Sequence, residues 1–468
     1  MPLGDLLPEL VLLLGAVVIV LFAAFAPQRR QAGAVWLALL ALVVAMGLGA
    51  RQWGLPPRLT FAGVWALDDV AIAAKLLILA SGALVVALSP DWMRSDRRHG
   101  EYYALCLFSL LGMIMMASAH DAMELVVGVL LSSAASYPLA AYHRGFPPAL
   151  EAAMKYFLIG ALANALLVIG VVILFGLVGD TDYARASDVF QTGVDPLALS
   201  VAVACIVMGL TYKLGAVPAH AWMPDVAQGA PAPIAALLTV APKIGAAVAL
   251  ARFVSLLPDS QAWPVIVALI SVATMTLGNL AALRQTDLRR LLGWSSVSQS
   301  GYALMAIVVV GSGVAALPAL LAFLVAYAVA NLLAFAVVTH LRGRTELAHY
   351  HGLARRQPLV TAALIVALLS LVGIPPLVGF FGKFLLFEVT IAAGYAWLAV
   401  VAAFNTLVSL YYYLRVIAVL MFKAPQGEVQ VLGRWSEMVL LGTFLLLILV
   451  SLGFEFLQAV LAPIALAG

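Results

Sequence analysis

Apolar runs follow one another along almost the whole chain, and most are long enough, at about twenty residues, to cross a bilayer. Hydrocarbon holds no water to meet a free N–H or C=O. A chain of this kind therefore folds as helices that satisfy their own backbones. Of its 468 residues 65% are hydrophobic and 10% charged, where soluble chains carry about 25% charged residues. The expectation is an all-α integral membrane protein with about fourteen transmembrane helices.

The loops orient the bundle. With the N-terminus outside, the basic segments "PQRR", "RSDRRH", "HRG", "RQTDLRR", "LRGRTELAHYHGLARR" and "KAPQGEVQVLGRW" all fall inside. About fifteen Lys and Arg lie inside against about four outside, a strong positive-inside bias. Both termini are then expected on the outer, periplasmic side of the cell inner membrane. The first apolar run is not read as a cleaved signal: its leader carries Asp5 and Glu9 and no basic residue, contrary to a signal's basic start. The net charge of +3 is too small to indicate a nucleic-acid partner.

Two runs are broken. The seventh stops at Pro218, with further prolines at 224, 231 and 233, and the twelfth stops at Pro375 and Pro376. Proline removes a backbone donor and clashes with the preceding turn. Freed backbone groups survive in a bilayer only where protein or a wet cavity meets them. The two breaks lie five spans apart, so the broken helices run in opposite directions. Such pairs mark inverted-repeat transporters. The expected organisation is an N-terminal three-helix segment at 1–101, a first five-helix repeat at 102–255, an inverted second repeat at 256–422 and a C-terminal helix at 423–468.

Charges inside the spans are the candidate site. A lysine at mid-bilayer costs about 2.5–3.5 kcal/mol on insertion scales, and Lys213, Lys243 and Lys383 all lie deep in apolar sequence. Lys383 loosely takes the place in the second repeat that Lys213 takes in the first. A buried amine that can lose its proton suits a proton relay. His220, just after the first break, suits proton exchange or the capping of loose carbonyls. Asp225 is expected to cap the half-helix that follows. Lys155 lies near the inner end of its span, where reaching the headgroups competes with function. Lys75 is expected at the interface, and Glu388 near the end of its span. Gln299, Tyr302 and the serines of "GWSSVSQSGY" form a polar stripe, read either as helix–helix glue or as a wet path; Asn279 and Asn331 share those two readings.

Redox chemistry has no home in the sequence. Cys106 and Cys205 both sit in apolar runs, and an iron–sulfur cluster ordinarily takes four thiolates. "GSGVAA" at 311–316 follows no strand, so it is no dinucleotide fingerprint. The sequence has no HExxH and no P-loop. No cofactor or metal is expected on this chain.

"GLTYKLGAVPAHAWMPDVAQGAPAPI", "TMTLGNLAALRQTDLRRLLGWSSVSQSGY" and "LLSLVGIPPLVGFFGKFLLF" resemble the antiporter-like membrane subunits of the type I NADH–quinone oxidoreductase, respiratory complex I. The likeness covers nearly the whole chain. It implies fourteen helices in two inverted repeats and a subunit that moves protons while quinone is reduced elsewhere. NAD, FMN, iron–sulfur clusters and quinone would then lie on partner subunits, among other antiporter-like and small helical membrane subunits. Matched by motif, Lys213, Lys243 and Lys383 are the family's charged residues of helices seven, eight and twelve; Lys155 and His220 match its sixth-helix lysine and its histidine after the break. Lysine at 383 fits the N type rather than the M type, and the absence of a long lateral helix speaks against the L type. The chain is identified as a divergent copy. The family's fifth-helix glutamate, partner of the seventh-helix lysine, is replaced by Leu130 or Ser133, and Glu124 is the nearby carboxylate. Gln299 stands where the family has a histidine. Two alternatives remain: a module of a multisubunit cation/proton antiporter, and a structural subunit that has lost pumping.

Overall fold

The computed structural model describes residues 3–94, 96, 99–143, 145–258, 263–425 and 430–466. The expected inner-loop charges Arg97, Arg98 and Arg144 lie outside the described residues. The chain is a helical bundle. Its helices are α1 (Leu7–Phe25), α2 (Ala34–Ala50), α3 (Asp69–Met93), α4 (His99–Ser118), α5 (Ala122–Ala140), α6 (Pro147–Val178), α7 (Tyr183–Thr192), α8 (Pro196–Leu214), α9 (Trp222–Gly229) and α10 (Ala232–Val254). There follow α11 (Trp263–Leu283), α12 (Leu288–Val308), α13 (Ala316–His340), α14 (Pro358–Val372), α15 (Val378–Ala392), α16 (Ala396–Phe422), α17 (Arg434–Leu452) and α18 (Phe454–Leu461). A small antiparallel hairpin, β1 (Arg58–Thr60) with β2 (Trp65–Leu67), joins α2 to α3.

Among the described residues, twelve helices are long and apolar enough to cross a membrane. Two further expected spans fall on α12, whose serines lower its apolar content, and on the α14–α15 pair, whose halves have fifteen residues each. The expected seventh span is α8 and the expected twelfth is α14 with α15.

Both breaks are built from the same local rules. α8 ends at Gly215 (φ +66°) and α14 at Gly373 (φ +94°), each in the left-handed region that glycine adopts without a Cβ clash. Proline follows within three residues at Pro218 and at Pro375, so neither helix can resume at once. The two lysines do not share a place, contrary to expectation. Lys213 is in the last turn before its break, whereas Lys383 is in the helix after its break.

α10 forms the axis of the bundle, with all 23 of its residues buried. Its small side chains admit close neighbours: a Cβ on Gly245 would stand 2.5 Å from the Met113 carbonyl oxygen of α4. α4 and α5 meet the same way, since a Cβ on Gly112 would lie 2.4 Å from the Ser132 nitrogen and 2.7 Å from the Gly128 oxygen. Such small-residue seams drive helix association in lipid.

Two charged residues are not where the sequence suggested. Lys75 is fully buried, paired with Glu9 at 2.6 Å and bonded to Gln52 Oε1 at 3.1 Å. A lysine can leave the interface when a carboxylate from a distant helix meets it, and Glu9 is such a partner. Asp225 does not cap a helix. It lies inside α9 and pairs with Lys155 and Arg290. Glu388 is exposed in the last turns of α15, as expected.

Gly112→Val should force α4 and α5 apart against backbone atoms. It should destabilise the protein by at least about 1–3 kcal/mol, read as a lower melting temperature in detergent. Gly47→Ala, which meets nothing within 4 Å, should leave melting unchanged.

Candidate functional site

A broken helix leaves its last carbonyls without intrahelical donors. At the first break neutral side chains meet them: Ser300 Oγ donates to Leu214 O at 2.5 Å, and Trp222 Nε1 to Tyr212 O at 3.1 Å. Val217 N donates to Thr274 Oγ1 at 3.1 Å. At the second break a cation does this work. Lys383 Nζ donates to Leu371 O at 3.0 Å and to Val372 O at 2.9 Å, the exposed C-terminal carbonyls of α14. A helix C-terminus carries partial negative charge, which favours an ammonium. The Tyr302 ring adds its face, 4.3 Å from Nζ to the centroid.

Lys213 and Lys243 complete a buried row. Lys213 is fully buried, and its Nζ donates to Ser132 Oγ of α5 at 3.1 Å. Lys243 donates to the Ser296 carbonyl and to Ser300 Oγ at 2.6 Å. Ser300 therefore links the Lys243 amine to Leu214, the residue next to Lys213. α12 carries the connection onward: Ser296 Oγ bonds Tyr327 OH at 2.8 Å, and Gln299 Nε2 donates at 3.0 Å to Leu371 O, which also accepts from Lys383. Gln299 and Lys383 line a cavity of about 10 Å³, near the minimum for one water. Among the described residues, no carboxylate forms an ion pair with any of the three amines.

The other candidates stand apart. Lys155 has a side chain 44% exposed and pairs with Glu151 at 2.6 Å and Asp225 at 3.1 Å, away from the row. His220 lies half-buried between α8 and α9, with its ring 5.7 Å from that of Trp294. Glu124 is not the partner of Lys213. It sits in the first turn of α5, eight residues before Ser132, or about 12 Å along a helix. The residue that meets Lys213 is Ser132, which the sequence reading did not single out. Of the two positions expected there, Leu130 is 43% exposed, and Ser133 Oγ donates back to Val129 O. Helical phase on α5 was the missing information.

The polar stripe of α12 joins both halves of the row. Asn279 serves a different purpose, donating to Asn405 O and accepting from Tyr412 OH at 3.1 Å, which ties α11 to α16. Asn331 donates to Thr239 Oγ1 at 2.8 Å, tying α13 to α10. Among the described residues, no group of three or more His, Cys, Asp or Glu converges as a metal site would.

Broken helices, a buried axis and a row of amines that pair with no acid among the described residues define a multi-span membrane protein with titratable groups in its interior. The chain belongs to the family described as "NADH:quinone oxidoreductase/Mrp antiporter, TM", whose model matches residues 119–409. It is 45% identical over 410 residues to the NADH-quinone oxidoreductase subunit N of Mycobacterium sp. (strain JLS), covering 86% of each chain. It is 43% identical over 457 residues to the subunit N 1 of Streptomyces griseus, covering 96% of this chain and 95% of the relative. A chain of respiratory complex I from Thermus thermophilus, solved with bound aureothin, superposes with a TM-score of 0.85 at 30% identity, covering 98% of this chain and all of that one.

Burial without an acid and burial with one predict opposite mutational signs. Lys243→Met should remove an uncompensated amine and raise stability by about 1–3 kcal/mol. Lys75→Met should strand Glu9 and lower stability by about 3–5 kcal/mol. Thermal melting of the purified protein reads both.

Proposed function

We propose that this chain serves as subunit N of a membrane-bound NADH–quinone oxidoreductase and carries protons along its buried lysine row. The observation that carries this reading is the continuity of the row. Ser300 bonds the Lys243 amine and the carbonyl of Leu214 next to Lys213, Gln299 and Lys383 share the Leu371 carbonyl on the other side, and among the described residues no acid pairs with any of the three amines. In this reading Lys213 loads from the inner side, Lys243 passes the charge on and Lys383 releases it outward. NAD, FMN, iron–sulfur clusters and quinone belong to partner subunits, and this chain's part is transport rather than redox catalysis. The bilayer is the cell inner membrane with both termini on the periplasmic side, as the basic inner loops favour.

The inverted repeat belongs to the same proposal. The seam of α4 with α5 has its counterpart in α11 with α12, where a Cβ on Gly278 would lie 2.6 Å from the Ser298 nitrogen. These are the first two helices of each expected repeat, closed by the same small-residue contact.

A second reading, a subunit that has lost pumping, is favoured by one observation: Lys213 meets a serine where the family pairs it with glutamate. The two readings part on one experiment. In vesicles containing the assembled complex, Lys213→Ala should sharply lower the number of protons moved per NADH oxidised while the chain still co-purifies with its partners. Unchanged pumping with intact assembly removes the row from the mechanism and leaves the structural role. Co-purification without any NADH-oxidising subunit, with sodium-dependent exchange in the absence of NADH, would instead place the chain in a cation/proton antiporter.

A further inference from the structure

A second buried polar cluster lies beneath the β1–β2 hairpin, at the end of the bundle that holds the start of α1. Asp68 accepts from Arg252 through two bonds, Nη1 to Oδ2 at 2.7 Å and Nη2 to Oδ1 at 3.0 Å, with both residues 1% exposed. Beside them stand His120, 5% exposed, and Glu124, 8% exposed. Among the described residues, neither His120 ring nitrogen has a hydrogen-bond partner, and neither has Glu124 Oε2. The hairpin roofs them: His120 N donates to Val64 O at 2.9 Å, and Tyr183 N to His120 O at 3.2 Å.

A scaffold does not need these groups unmet. Deep burial of an unpartnered polar atom is destabilising, and Asp121 already caps α5 through Met123 N and Glu124 N. Water or a moving proton is what satisfies such atoms. Two helices are common to the cluster and the row. α5 carries Ser132, the acceptor of Lys213, about 12 Å along the helix from Glu124. α10 carries Lys243, nine residues before Arg252, about 14 Å along its axis.

We propose that Glu124 and His120, beside the Asp68–Arg252 pair, form a proton-exchange station that gives the first half of the chain its own outlet at the periplasmic face. This rests on the reading of the lysine row as a proton path, and it adds an outlet distinct from Lys383. Glu124 exchanges its proton with His120, which passes it to water beside the Asp121–Thr181–Asp182 turn. Thr181 Oγ1 donates to Asp121 Oδ2 at 2.6 Å there, and Asp182 is partly exposed. The charges facing His120 are Arg252 from α10, Asp68 at the start of α3, Asp121 before α5 and Asp182 before α7; Glu9 of α1 and Asp121 face Glu124. Burial first, then Arg252, holds the His120 imidazole below its ordinary pKa, while the three aspartates oppose this. A neutral ring can accept a proton and release it again to the water side.

The test uses the assembled complex in vesicles. Glu124→Gln keeps the shape and removes the exchangeable proton. It should lower protons moved per NADH, by a part of what Lys213→Ala removes, and His120→Ala should do likewise. Redox-difference infrared spectra should show a protonated-carboxyl band in the parent that Glu124→Gln abolishes. If Lys213→Ala lowers the ratio and Glu124→Gln does not, the outlet is overturned and the lysine row stands. If neither lowers it, both fall. A lower ratio in Glu124→Gln with the carboxyl band still present marks a packing effect and also overturns the station.

Discussion

The structure depends on how the carbonyls freed at two helix breaks are met. An intact membrane helix offers a buried amine no free carbonyl, because its backbone is already satisfied. Gly373 and Pro375 end α14 inside the bundle, and the carbonyls of Leu371 and Val372 become a place where an ammonium can sit without a carboxylate. Gly215 and Pro218 do the same to α8, but there Ser300 and Trp222 answer the carbonyls, and Lys213 beside them turns to Ser132. At Lys383 the broken geometry precedes the charge: without it that amine would lose both of its acceptors, whereas Lys243 and Lys213 are held by serines of α12 and α5.

Acid partners separate the fixed cations from the movable ones. Arg252 and Lys75 are as buried as the row, yet each meets a carboxylate, Asp68 or Glu9. A closed ion pair in low dielectric resists any change of protonation, because removing one charge strands the other. The row amines meet only hydroxyls, carbonyls and ring faces, which accept from the charged form and tolerate the neutral one. The same interior therefore contains locked cations and the amines of the proposed relay, distinguished by the presence of one carboxylate neighbour.

The membrane class, the two breaks and the three deep lysines were legible because each leaves a one-dimensional mark: long apolar runs, Gly-x-x-Pro, and a cation inside a run. The family followed from the motifs around Lys213 and Lys383. What stayed hidden depends on helical phase and on distant pairing. Leu130 and Ser133 lie within two residues of Ser132, but on α5 Leu130 is exposed and Ser133 bonds its own backbone, while Ser132 faces the amine. Lys75 looked interfacial because its partner, Glu9, lies on another helix. Asp225 looked like a cap because sequence order alone could not reveal Lys155 and Arg290 beside it.

Gln299 shows how the divergence from the family alters the relay itself. A histidine can take a proton at one ring nitrogen and release another from the opposite side. An amide donates and accepts hydrogen bonds but does not titrate, and this one is pinned by Nε2 to Leu371 O, the same oxygen that holds Lys383. In the proposed relay, a proton crossing from Lys243 toward Lys383 would therefore bypass the side chain rather than pass through it. The small cavity between Gln299, Tyr327 and Lys383 lies on that bypass, and the Ser296–Tyr327 hydroxyl pair opens onto it from the Lys243 side. Substituting glutamine for histidine turns a residue that could carry the proton into one that positions the carbonyl and leaves the carrying to hydroxyls and water.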